Sequence, residues 1–128
     1  MEQNRIMIVD DNPIDQMITA HILKTNYFKP DIIVMPSALA ALDYLSANQD
    51  DPIAMPSLIL LDLDMPEMNG FGFLEIFRNY ADAIKNACRI IVLTGSDIEA
   101  DLEQMKADPY VTQLLMKPLD RTALIPIV

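Results

Sequence analysis

Residues 57–70, SLILLDLDMPEMNG, join a short apolar run to an acidic segment rich in turn-forming residues. The run Leu58–Leu61 is continuously apolar, as is typical of a strand covered on both faces in a parallel sheet. It ends in two carboxylates, Asp62 and Asp64, one residue apart. Buried strands seldom end in this much charge unless it has a chemical use. The stretch therefore predicts a core strand with a functional site at its carboxyl end.

Four other apolar runs recur along the chain, separated by helical patterns. The predicted strands are Ile6–Val9, Ile32–Met35, Leu58–Leu61, Ile90–Leu93 and Val111–Met116. Strands that alternate with helices favour an α/β fold, a doubly wound five-stranded parallel sheet with helices on both faces. We expect one domain over residues 1–128. Only ten residues follow Lys117-Pro118, so we expect a short final helix or a chain cut from a longer one.

Four helix starts carry recognisable signals. Asn12 before Pro13 predicts an N-cap with a first-turn proline, and Ser37 predicts a second N-cap. A third helix begins near Gly70, and Ser96–Glu99 is a capping box for a fourth. The apolar faces of these helices are made by Ile14, Met17, Ile18 and Ile22; Leu39, Leu42 and Leu45; Phe73, Leu74 and Phe77; and Leu102 and Met105.

Composition and charge exclude several classes of function. The net charge of −10, from 19 acidic and 9 basic residues, argues against nucleic acid or an anionic membrane as a direct partner. The acidity suits either a solubilising surface or a site for a divalent cation. The single cysteine, Cys88, rules out a disulfide framework and is expected to be buried. Without a signal region or a run of about 20 apolar residues, we expect a cytoplasmic protein with no membrane insertion.

Polar residues follow four of the five predicted strands. Asp10 and Asp11 follow the first, Asp62 the third, Thr94 the fourth and Lys117 the fifth. Strand caps or surface charges would explain any one of them, but the carboxyl ends of parallel strands meet at one ligand-binding edge. Clustered carboxylates without histidine or cysteine favour Mg²⁺. Together with a lysine and a threonine hydroxyl, they suit phosphoryl transfer, in which an aspartate can be the nucleophile.

The blocks IMIVDDN, LILLDLDMPEMNG, IIVLTGS and LLMKP occur in an order that resembles the receiver domain of bacterial two-component response regulators, the CheY-like proteins. The resemblance covers nearly the whole chain and implies a flavodoxin-like sheet of order 2-1-3-4-5. It implies that Asp62 accepts a phosphoryl group from a sensor histidine kinase or a histidine phosphotransferase. It also implies no turnover enzyme, only self-catalysed phosphoryl acceptance and slow autodephosphorylation.

The resemblance further assigns roles around Asp62. Asp11 would bind Mg²⁺ directly and Asp10 through water, with Asp62 and the backbone carbonyl of Asp64 as the other protein ligands. The side chains expected to stabilise the phosphoryl group are Thr94 and Lys117, and Lys117-Pro118 would be a cis peptide.

The resemblance also implies how a signal leaves the domain. The family often has an aromatic residue three positions before the lysine, and this sequence has Leu114 there. The switch positions are therefore expected to be Thr94 and Leu114. A downstream protein target would bind the face formed by the fourth predicted helix, the fifth strand and the final helix, a face that also allows a homodimer. In the family the first helix faces the kinase, which makes Ile14, Ile18 and His21 candidates for that contact.

Two alternatives remain open at the level of sequence. Asp62-Leu63-Asp64 after an apolar strand also resembles the haloacid-dehalogenase-like phosphohydrolases, in which Asp64 would be a general acid. Those enzymes place the nucleophile strand first, whereas Asp10-Asp11 precedes it here. The second alternative is a receiver-shaped interaction module that is never phosphorylated, although the complete set of polar residues argues against it.

Overall fold

The computed structural model describes residues 5–27, 29–95, 98–117 and 119. The strands are β1 (Arg5–Val9), β2 (Asp31–Met35), β3 (Leu58–Asp62), β4 (Arg89–Thr94) and β5 (Val111–Met116). The helices are α1 (Pro13–Asn26), α2 (Ala38–Ala47), α3 (Gly70–Phe77), α4 (Asp82–Ala87) and α5 (Glu99–Ala107). All strand pairs are parallel, in the order β2-β1-β3-β4-β5. The predicted doubly wound, flavodoxin-like α/β fold is confirmed.

Two hydrophobic clusters lie on opposite faces of the sheet because successive side chains of a strand alternate between its faces. In β1, Met7 and Val9 belong to the larger cluster, whereas Ile6 and Ile8 belong to the smaller one. The larger cluster takes in side chains from α2, α3, α4 and α5, and the smaller one packs against α1. None of the helices in the described part of the chain has the length and apolar character needed to cross a membrane.

The expectation of strands covered on both faces holds for the centre of the sheet only. Every residue of β3 is buried, and so are all but the first residues of β1 and β4. The edge strands β2 and β5 contain no fully buried residue over their described lengths. An edge strand has a neighbouring strand on one side only, so its other side is more open to solvent.

The first helix presents a different face to the sheet than an apolar stripe would suggest. Ile14, Met17 and Ile18 are 68%, 72% and 44% exposed. The buried residues of α1 are Thr19, Ile22 and Leu23. The predicted N-cap is confirmed, since the Asn12 side chain accepts hydrogen bonds from the backbone N–H groups of residues 14 and 15. Of the predicted stripe, only Ile22 therefore faces the core.

Three smaller expectations need correction. The six-residue helix α4 was not predicted, because a helix this short buries a single apolar residue, Ile84. As a result, the predicted fourth helix is α5, which begins at Glu99 with Ile98 at its N-cap. The expected cap, Ser96, lies outside the described residues. In α2, Leu39 is 47% exposed because the small side chains of Ala38 and Ala41 face the core with the predicted Leu42 and Leu45.

The segment 48–56, NQDDPIAMP, leads from α2 toward β3 and begins with four polar residues. Its first part is exposed, but Ala54, Met55 and Pro56 are buried. The Tyr44 hydroxyl donates a hydrogen bond of 2.7 Å to the carbonyl of Ala54, and Met55 belongs to the larger cluster. The end of this connection is thus fixed to the core immediately before β3.

Candidate functional site

The sheet register places the polar residues that follow its strands close together. β1 and β3 are direct neighbours, with Val9 paired to Leu61, so Asp10 and Asp62 occupy equivalent positions at adjacent strand ends. Both are buried, with exposures of 1% and 4%. Carboxylate oxygens of Asp10, Asp11 and Asp62 lie within 4.8 Å of one another, and Asp11 is the exposed member. The acidic residues predicted to converge therefore do so.

Backbone N–H groups orient the two buried carboxylates, and a side-chain amide holds the backbone of Asp10. The backbone N–H of Asn12 donates to Asp10 Oδ1 at 2.9 Å, and that of Asp64 donates to Asp62 Oδ1 at 3.2 Å. The Gln16 side chain donates to the backbone carbonyl of Asp10 at 2.6 Å. Each carboxylate is thus held at a strand end by the loop that follows it.

Lys117 enters the site from the end of β5. Its backbone N–H continues the β4–β5 ladder by donating to the carbonyl of Thr94 at 2.8 Å. Its Nζ lies 3.2 Å from Asp10 Oδ2, 3.5 Å from Asp62 Oδ1 and 2.8 Å from Asp15 Oδ2. Asp15 was not among the predicted site residues. Its place in the first turn of α1, four residues after Asp11, is the signal in the sequence that could have suggested it.

Thr94 is fully buried at the end of β4, and its hydroxyl donates to Asp64 Oδ2 at 2.9 Å. The receiver resemblance suggested a role for Asp64 mainly through its backbone carbonyl, and the dehalogenase-like alternative suggested a general acid. In the structure its side chain accepts the hydrogen bond of the threonine hydroxyl.

Burial and like charges shift the pKa of the Asp62 carboxyl. Desolvation raises the pKa of Asp62 to about 6, with further contributions from the charges of Asp10 and Asp64 and opposition from Lys117. Burial disfavours the charged form of Lys117, but the hydrogen bond to Asp15 and the charges of Asp62 and Asp10 outweigh it and raise its pKa to about 12. The lysine therefore stays charged at neutral pH, and ionisation of Asp62 costs free energy.

The loop between β3 and α3 brings the helix close to the strand end. The backbone N–H of Gly70 donates to the carbonyl of Leu63 at 3.0 Å. A Cβ at Gly70 would lie 3.1 Å from both Cα and Cδ1 of Leu63, so a larger residue here would push Leu63 away by a few tenths of an ångström. Glu67, in the same loop, has a φ of 66°, a strained value for a residue with a side chain.

A family model described as "Response regulator receiver domain" matches residues 6–128. The chain belongs to this family. The receiver is 29% identical over 114 residues to the probable methanogenesis regulatory protein FilR2 of Methanothrix harundinacea, covering 89% of the receiver and 72% of that relative. It is 30% identical to response regulator Rcp1 of Synechocystis sp. over 98 residues, covering 76% of the receiver and 65% of Rcp1.

Solved structures agree with this assignment. A response regulator receiver protein from Dyadobacter fermentans is 33% identical to the receiver, with a TM-score of 0.76 and coverage of 91% and 88% of the two chains. The Mn(2+)-bound form of Rcp1 is 28% identical, with a TM-score of 0.74 and coverage of 91% and 83%. Membership of this family favours the receiver over the dehalogenase-like alternative.

Two further predicted positions are Leu114, which lies in the hydrophobic core region, and Pro118, which lies outside the described residues. Leu114 is half-buried, pairs with Val92 across the β4–β5 ladder and packs against the larger hydrophobic cluster. Pro118, the second residue of the expected cis peptide, lies outside the described residues, as do residues 120–128, where the final helix was expected.

The donor set of the receiver suits a hard divalent cation. Asp10, Asp11 and Asp62 offer carboxylate oxygens only, and oxygen-only sets with few carboxylates are the ones Mg²⁺ prefers. Three carboxylates within 4.8 Å of one another gain from a cation because it cancels their mutual repulsion. The residues present therefore fit the metal that the family implies.

Proposed function

We propose that this receiver accepts a phosphoryl group on Asp62 from a phosphohistidine, and that the phosphorylated form changes which proteins it binds. The observation that supports this most is the buried Asp62 carboxylate, which has Asp10 and Asp11 within 4.8 Å and Lys117 Nζ at 3.5 Å. Receiver domains are generally signalling modules rather than enzymes. We accordingly propose self-catalysed phosphoryl acceptance followed by slow autodephosphorylation, without turnover of a separate substrate.

In the proposed step, one carboxylate oxygen of Asp62 attacks the phosphorus atom. The bond from phosphorus to the imidazole nitrogen breaks, and its electron pair leaves with the imidazole. The new group adds roughly −1.5 to −2 charge at pH 7. Lys117 would form an ion pair with this charge. The Thr94 hydroxyl would donate its hydrogen bond to a phosphoryl oxygen instead of to Asp64. The loops after β3, β4 and β5 would then shift between two populations.

Asp10, Asp11 and Asp62 would hold Mg²⁺, with Asp10 acting through water and the backbone carbonyl of Asp64 as a further ligand. When bound, the metal supplies positive charge for the phosphoryl oxygens. The backbone N–H of Asp64 orients the Asp62 carboxylate. The burial of Asp62 limits the access of water to it.

The proposed partners are a sensor histidine kinase or histidine phosphotransferase and a downstream protein. The exposed Ile14, Met17 and Ile18 of α1 give the phosphodonor an apolar surface next to the acceptor site. The output would pass through α5, β5 and the final residues, with Thr94 and Leu114 as the switch positions. The same face would serve a homodimer if one forms.

The test is intact-mass spectrometry after incubation with acetyl phosphate and Mg²⁺, for the wild type and for Asp62→Ala. The proposal predicts a phosphoryl adduct on the wild type and none on Asp62→Ala. An adduct that persists in Asp62→Ala would contradict the assignment of the acceptor. A wild type that forms no adduct would favour the interaction module that is never phosphorylated. Steady turnover of a phosphate ester would favour a hydrolase.

A further inference from the structure

The shortest ion pair of Lys117 is formed with a residue other than the proposed acceptor. Three carboxylates lie within 4 Å of its Nζ in the described part of the chain. Asp15 is the nearest at 2.8 Å, followed by Asp10 at 3.2 Å and Asp62 at 3.5 Å. The contacts with Asp15 and Asp10 also have hydrogen-bond geometry. The ammonium proposed to recognise the phosphoryl group is therefore bonded most closely to α1.

Asp15 is well placed to hold this lysine reversibly. It lies in the first turn of α1, where its backbone N–H donates to Asn12 Oδ1 at 3.1 Å, so the helix start fixes its position. Its carboxylate is not part of the group formed by Asp10, Asp11 and Asp62. The Asp15 side chain is 35% exposed, against 19% for Lys117, so water can solvate the carboxylate if the lysine leaves it.

We propose that Asp15 is a positioning residue that competes with the phosphoryl group for Lys117, an inference that rests on the proposed function. A phosphoryl group on Asp62 concentrates about two negative charges beside an ammonium that has three N–H donors to share. Asp15 must then give up part of its contact, and the free energy of that contact opposes phosphorylation. A partly exposed ion pair of this kind changes an equilibrium by about two- to fivefold.

The experiment is a titration with beryllium fluoride, a phosphoryl analogue, at saturating Mg²⁺, followed by the backbone amide signals in NMR spectra. We expect Asp15→Asn to lower the dissociation constant by about two- to fivefold, because the amide keeps the shape of the side chain and loses its charge. Asp31→Asn is the matched control. It removes an ion pair of 2.7 Å with Arg5 at the amino end of β2, the opposite edge of the sheet, and should leave the constant unchanged.

An unchanged or raised dissociation constant in Asp15→Asn would overturn the role of Asp15. A second measurement is a double-mutant cycle of Asp15→Asn and Lys117→Met on the free energy of unfolding in EDTA. The proposal requires favourable coupling between the two positions, and additive effects would overturn it. If the wild type binds no beryllium fluoride, the proposed function itself fails. If the wild type binds it with the same affinity as Asp15→Asn, only the inference about Asp15 fails.

Discussion

Replacing the proposed acceptor with its neutral analogue should make the metal-free protein more stable at neutral pH. Asp62 has a pKa of about 6 in the folded protein, above its ordinary value of 3.8, mainly because of burial. Below about pH 4 the carboxyl is protonated in both the folded and the unfolded chain, so Asp62→Asn changes little there. Between about pH 4 and pH 6 the unfolded chain loses this proton while the folded protein still holds it, so wild-type stability falls over that range and stays at the lower level above it.

The size of the effect follows from the shift in pKa. A change from 3.8 to about 6, at roughly 1.4 kcal/mol for each unit, corresponds to about 3 kcal/mol. Asp62→Asn should therefore raise the free energy of unfolding at pH 7.5 by about 2–3 kcal/mol, a gain that disappears near pH 4. Functional sites often carry such a cost in stability.

The assay is urea unfolding followed by circular dichroism, in EDTA, at several pH values between 4 and 8. Glu103→Gln, an exposed position on α5, serves as the control for the loss of a surface charge. Adding Mg²⁺ should stabilise the wild type and narrow its difference in stability from Asp62→Asn, because the proposed metal site includes Asp62 and exists only in the folded protein. The reasoning would be refuted if the difference in stability between Asp62→Asn and the wild type did not vary with pH. A variant less stable than the wild type at pH 7.5 would refute it as well.

Three further outcomes are expected. Asp64→Asn should still accept phosphate from acetyl phosphate, because the amide oxygen can replace the carboxylate as acceptor for the Thr94 hydroxyl; loss of the adduct in intact-mass spectra would point to acid catalysis by Asp64. Gly70→Ala should lower the free energy of unfolding in urea by about 1–3 kcal/mol, since the new Cβ would lie 3.1 Å from Leu63 Cα; unchanged stability would mean that the loop relaxes. Burial raises the pKa of the Cys88 thiol to about 12, so a thiol reagent at pH 8 should label it only as fast as the chain unfolds, and rapid labelling in native buffer would contradict its burial.

The strands and the proposed acceptor site could be predicted from local sequence because both depend on local patterns. Four of the five strand interiors are runs of apolar residues, and Asp62, Thr94 and Lys117 each stand at or just after the end of a strand. Parallel strands bring such ends together whatever the helices do. The orientation of α1 could not be predicted in this way, because the exposed Ile14, Met17 and Ile18 make a more apolar stripe than the face that is buried.

Long-range contacts account for what the sequence did not reveal. Asp15 and Lys117 are 102 positions apart, and no local pattern connects them. The same contact, together with the Asn12 cap, turns the side of α1 that carries Asp15 and Thr19 toward the sheet. The helix α4 escaped prediction for a different reason, since its six residues are too few to establish a periodic pattern.

The irregularity in the β4–β5 ladder has a consequence for how the chain can vary in length. Ile90 pairs with Val111, but Ile91 pairs with Gln113, so Thr112 has no partner of its own in the register. From Gln113 onward the register is regular up to the pair of Thr94 and Met116. An insertion or deletion in the turn before β5 can therefore be absorbed at this bulge, and the distance from β4 to Lys117 is preserved. Loop lengths upstream of β5 can thus change over evolution or by engineering without moving the lysine out of the site.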